Sequence, residues 1–107
     1  MNNELKLSEA MAMGNKIIPE KITFGYYKTL GHKVVASCAL GSAMIGKSGK
    51  IEGVLEYSPE KLFPCLHDHI KSPEVFEPNL LSMIVEMNDS LDWPREKIVD
   101  WLAKNGY

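Results

Sequence analysis

The sequence predicts a mainly α fold: a compact small helical domain of about five helices, with a C-terminal helical hairpin and a short β-hairpin at 22–35. Two observations carry this. The last thirty residues place Leu80, Leu81, Ile84, Met87 and Leu91, then Ile98, Trp101 and Leu102, at helical spacing on either side of a polar corner. Proline and glycine punctuate the rest at intervals too short for long helices or many strands. With 107 residues, 45% of them hydrophobic, the chain suits one modest core and a single domain over 1–107.

Each element follows from local signals. Ser8 is a fitting N-cap for a first helix, with Ala10, Met11, Gly14, Ile17 and Ile18 on one side and Pro19 as its stop. Ile22 to Tyr27 and Lys33 to Val35 are β-branched or aromatic with Gly31 between them, which predicts the hairpin. Ala36, Ala39, Ser42, Ala43 and Gly46 are small residues at helical spacing, so a slim helix from about Ala36 to Lys47 is expected, ending at Gly46 or Gly49. Ile51, Val54 and Leu55 give a short helical spacing weakened by Gly53. Ser58-Pro59-Glu60 is a helix start, and Pro64 breaks that helix before a second short one through Cys65 and Ile70. Ser72 to Pro78 reads as a loop. Pro94 opens the last helix, and Asn105-Gly106 closes it.

Residues 80–102 carry an Asn-Asp pair (Asn88-Asp89), a short gap, then Trp93-Pro94-Arg95-Glu96-Lys97-Ile98-Val99-Asp100-Trp101-Leu102, and an earlier run reads Cys38-Ala39-Leu40-Gly41. This chain resembles a family of small bacterial and phage proteins that share both motifs in this order, with Thr usual where Pro94 stands. The resemblance spans about a third of the chain. It implies a compact, largely helical domain with 38–46 as helix, and it brings no chemistry with it.

Composition excludes several function classes. No segment approaches the roughly twenty apolar residues of a membrane span. The polar, acidic start (Asn2, Asn3, Glu4) lacks the basic and apolar run of a signal peptide, so a soluble cytoplasmic protein is the expectation. The two cysteines, Cys38 and Cys65, are too few for a disulfide scaffold. Charge is uneven: residues 1–50 hold seven Lys against three Glu, a net of +4, and the remainder is net −6.

Residues 41–48 spell the phosphate-loop pattern G-x-x-x-x-G-K-[ST], which makes Gly41, Gly46, Lys47 and Ser48 candidate nucleotide-binding residues. The context opposes it. A phosphate loop feeds a long helix that begins at Lys-Ser, whereas Gly49 and Gly53 follow here, and the slim-helix reading turns the same letters into a helix stop. Cys65 and His69 would share a helical face as metal ligands, with Cys38 and His32 distant, but structural zinc needs four ligands. Lys21, Phe24, Tyr26, Tyr27, Lys28 and Lys33 interleave aromatics with cations, the pattern of a stacking surface for single-stranded nucleic acid; buried aromatics with exposed lysines give the same pattern. Spacing identifies no catalytic acid/base or nucleophile–base set. The reading that fits best is a non-catalytic interaction module without a cofactor, binding another protein or itself and no membrane. Nucleic-acid binding through the basic half comes second, and nucleotide binding at 41–48 third.

Overall fold

The computed structural model of the chain describes residues 5–31, 33–49, 58–69 and 79–107. Helix α1 (Leu7–Ile17) begins two residues earlier than the Ser8 cap implies. Lys6 is the cap residue, and its N–H donates to the Glu9 carboxylate three residues on, at 2.9 Å. Ser8 is buried instead, and its N–H donates to the backbone oxygen of Tyr107 at 3.0 Å, which ties the two ends of the fold together. Ile18 closes the helix through its N–H to the Gly14 oxygen, and Pro19 follows.

The hairpin forms a few residues later than its composition suggests. Strands β1 (Tyr27–Leu30) and β2 (Lys33–Ser37) pair antiparallel, and Gly31 takes the positive φ of 65° that a tight hairpin turn requires. Lys28 faces Ala36 and Thr29 faces Val34, so Val35 is an extra residue bulging from β2. Residues 20–22 run alongside the end of β2: the Ile22 N–H donates to the Ser37 oxygen at 3.2 Å, and the Ser37 N–H donates to the Glu20 oxygen at 3.0 Å. These contacts hold Ala36 and Ser37 extended, so helix α2 (Ala39–Ser48) starts three residues later than its small-residue spacing alone indicates.

Helix α2 is the centre of the fold. Ala39 to Gly46 are all buried. Its slim face lets α1 cross almost backbone to backbone: a Cβ added at Gly46 would lie 1.7 Å from the Ala10 oxygen, and one at Gly14 would lie 1.7 Å from the Ser42 oxygen. Gly49, at φ 76°, stops the helix, with its N–H returning to the Ile45 oxygen.

Pro64 divides the next stretch as expected, into helix α3 (Pro59–Leu62) and a 3₁₀ turn (Pro64–His67). The helix predicted through Cys65 and Ile70 is only this turn. Ile70, like the 51–55 stripe and the 72–78 loop, lies outside the described residues. Asn79 caps helix α4 (Leu80–Val85) by accepting from the Ser82 N–H at 2.9 Å. The chain then widens into a π-helical turn (Glu86–Ser90) where a simple polar turn is predicted. Helix α5 (Arg95–Lys104) follows Pro94, which occupies the cap position, and packs on α1. The main core gathers Leu7, Met11, Leu40, Leu66, Leu80, Ile84, Ile98 and Leu102. Each such side chain contributes about 1.5–3 kcal/mol by leaving water. Ile18, Val34 and Ile45, with Tyr27 against them, form a second cluster beneath the hairpin.

Candidate functional site

The residues that carry the two sequence motifs meet at one place, the N-terminus of α2. Asn88 is 2% exposed and its amide is fully used. Its Oδ1 accepts from the Ala39 N–H at 3.0 Å, and its Nδ2 donates to the Ile22 oxygen at 3.1 Å and to the Asp89 carboxylate at 2.7 Å. Cys38 caps the same helix, its Sγ accepting from the Gly41 N–H at 3.4 Å. Arg95, only 3% exposed, lies behind Ser37 and Ser42. It donates to the Ser42 Oγ at 2.7 Å, the Ser37 Oγ at 3.0 Å and the Pro19 oxygen at 2.6 Å, and no carboxylate pairs with it among the described residues.

This network fixes the segment between α1 and β1. The Asp89 carboxylate accepts the Phe24 N–H at 2.9 Å. Phe24 is thereby held at a φ of 59°, a left-handed conformation that a bulky side chain adopts only at a cost of about 1–3 kcal/mol. The residue is 79% exposed. Beside it opens a mostly apolar cleft of about 220 Å³, with Tyr26, Leu40, Ile84 and Val85 in its walls and Cys38, Asn88 and Asp89 at its base and rim. Tyr26 and Val85 are themselves partly exposed at 42% and 39%, so cleft and rim form one apolar surface.

Burial pushes the Cys38 thiol above its ordinary range, with Gly41 and Leu40 backbone hydrogen bonds only partly opposing, so the sulfur is the neutral thiol at physiological pH. Burial also raises the Tyr26 hydroxyl, with the Glu60 charge adding to it. No histidine lines the cleft among the described residues. A cavity of roughly 150 Å³ accepts a benzene ring, whereas a drug-sized ligand needs roughly 300 Å³ or more. The cleft is of a size to admit one apolar side chain.

Most of the residues singled out by sequence fall elsewhere; Tyr26, Cys38 and Gly41 are at the site. Gly41, Gly46, Lys47 and Ser48 lie within α2, so the phosphate-loop geometry is not formed. Lys47 donates to the Leu62 oxygen and lies over the Phe63 ring at 4.9 Å, and Ser48 donates to the Ile45 oxygen, as befits a helix C-terminus. Cys65 and His69 do not share a helical face, because the 3₁₀ turn ends at His67; no group of three or more metal-ligating side chains converges among the described residues. Lys21 is not free for a phosphate: it pairs with Asp92 at 2.6 Å and donates to the Trp93 oxygen. Tyr27 turns inward, its hydroxyl reaching the Gly41 oxygen at 3.5 Å and the Met44 sulfur at 3.6 Å. Phe24, Tyr26, Lys28 and Lys33 alone of that set are exposed, and Tyr26 lines the cleft.

The residues missed were Asn88, Asp89 and Arg95, while Phe24 was read only as one of the stacking aromatics. A signal existed for two of them. Arg95 precedes Ile98 by three and Leu102 by seven, and Asn88 follows Ile84 by four, so both sit on apolar stripes. Comparisons of the chain with protein-family models, with curated proteins and with solved structures find no match.

Proposed function

We propose that this chain is a non-catalytic protein-interaction module, acting in the cytoplasm of a bacterium or of a phage-infected cell, and that its contact surface is Phe24 with the adjoining cleft. One observation carries the reading: a large aromatic side chain is held out in water, in a backbone conformation that costs stability, while its N–H donates a hydrogen bond to half-buried Asp89 beside the buried Asn88. Strain maintained by its surroundings is typical of sites that serve binding rather than folding. Exposed aromatics beside a pocket sized for one side chain have the anatomy of an interface hot spot. The motif residues Asn88 and Asp89 support it further, because their side chains serve to shape this surface.

The test is Phe24→Gly. Glycine adopts the positive φ freely, so the variant should unfold at the same or a higher denaturant concentration, by up to about 1 kcal/mol. It should also lose a nuclease-resistant protein partner that the wild type retains in a tagged pulldown from lysate of the source organism. Identical capture by both proteins, or loss of all captured material on nuclease treatment, would remove the proposal.

A further inference from the structure

We infer that the outer edge of β1 is a docking edge for an extended, acidic segment of a partner protein, with one apolar side chain of that segment seated in the cleft beside Tyr26. The inference rests on the interaction-module reading and specifies its occupant. Among the described residues β1 pairs only with β2. The Tyr26 oxygen accepts from the Cys38 N–H, so Tyr26, Lys28 and Leu30 direct their backbone groups inward and Tyr27 and Thr29 direct theirs to the open edge. An extended peptide added there gains main-chain hydrogen bonds from the edge and specificity from alternate side chains.

The position of the bulge favours docking over protection. Proteins commonly spoil a dangerous edge with a bulge in the edge strand. Here the extra residue, Val35, is on β2, so β1 stays regular along its open side. Side chains alternate, so Tyr26, Lys28 and Leu30 share one face, with Lys33 opposite Leu30. Leu30 is 76% exposed, and neither Lys28 nor Lys33 forms an ion pair among the described residues. The surface thus runs from an apolar cleft to a cationic hairpin tip over about 13 Å, four residues of strand.

Charge chooses among occupants. Two copies of β1 paired edge to edge would bring Lys28 of each near the other, and like charges opposed across strands are destabilising. A nucleic acid would lack Lys21 and Tyr27, both engaged internally, and would meet the Asp89 carboxylate at the cleft. An acidic segment satisfies the lysines at one end and places its apolar residue away from them.

A library of random peptides displayed on phage, panned against the intact chain, tests this. Selected peptides should carry Asp or Glu about four positions from an aromatic or aliphatic residue. Measured by fluorescence anisotropy, their affinity should fall about tenfold with Lys28→Glu and with Thr29→Pro, which removes an outward N–H that β2 does not use. Thr29→Val, which keeps the N–H, should bind normally. Lys28→Glu keeps the test decisive if Thr29→Pro fails to fold. Peptides lost with Phe24→Gly yet indifferent to Lys28→Glu and Thr29→Pro would overturn the edge and leave the interaction surface standing. Selection of no peptide overturns the inference, and tight binding of single-stranded poly(dT) in its place would overturn both readings.

Discussion

Arg95 is a cation buried in a small domain without a counter-ion among the described residues, and its role is mechanical. Its guanidinium fork spans the Pro19 oxygen and the hydroxyls of Ser37 and Ser42, joining the end of α1, the end of β2 and the first turn of α2. Burial lowers its pKa, but no accessible pH neutralises it. Replacement by alanine strands those acceptors out of water at roughly 1–3 kcal/mol each. Arg95→Ala should therefore lose about 3 kcal/mol or more in urea unfolding, and Arg95→Lys should recover little, since an ammonium group cannot reproduce the fork. Asn88 works the same way with a neutral amide: one side chain satisfies α2's first N–H, a loop carbonyl and the neighbouring Asp89. Phe24 stands at the far end of this chain of bonds. Nothing in its neighbours' sequence announces a positive φ, because the hydrogen bond that holds it comes from Asp89, far along the chain.

At the scale of elements, α2 decides the architecture. Gly46, in its last turn, is a poor helix former, and alanine there would gain up to about 1 kcal/mol of propensity. Packing reverses the sign. The added Cβ would strike the Ala10 oxygen and carbon, which are backbone and cannot rotate aside. Overpacking commonly costs about 1–3 kcal/mol, so Gly46→Ala should lower stability by about 2 kcal/mol in chemical denaturation despite its better propensity. The slim helix was legible from small residues at helical spacing, and so was its stop at Gly49. Its start was not, because Ala36 and Ser37 are drawn into extended structure by the backbone of Glu20 and Ile22. The hairpin was legible as a type but displaced by a few residues for the same reason. The phosphate-loop spelling dissolves at this scale too: a motif that requires a helix to begin at Lys47 cannot operate where one ends.

Across the whole molecule, the groups raised by burial all face one way. Cys38, Cys65, Tyr26, Tyr27 and Tyr107 each hold their proton more tightly in the folded chain than ordinarily, with desolvation the leading cause in every case. A raised acid leaves stability intact below its unfolded pKa and withdraws it as pH climbs toward the folded value. The melting temperature should thus hold steady through neutral pH and fall once pH passes the ordinary cysteine value of 9.0, more steeply past the tyrosine value of 10.0. Tyr27→Phe should change neutral-pH stability by no more than about 1 kcal/mol and flatten the alkaline limb, a comparison for thermal melts across that range. The basic excess of the first half, read from composition as a possible pole for nucleic acid, is divided by the fold: Lys21 and Lys47 bind within the molecule, and Lys28 and Lys33 remain outside.

The sequence by itself determined the class of fold, the helices built on apolar stripes, the break at Pro64 and the glycine stops. These depend on interactions within a few residues, and periodicity and punctuation report them directly. Only the tertiary structure decided which polar residues are internal, that Lys21 is paired with Asp92 and Tyr27 is half-buried, and that Tyr26, Val85 and Asp89 line one cleft next to the exposed Phe24. The physical reason is distance along the chain: the bonds that shape the site join residues 19–24 to residues 88–95, and no local pattern encodes a partner that arrives from the other end of the sequence.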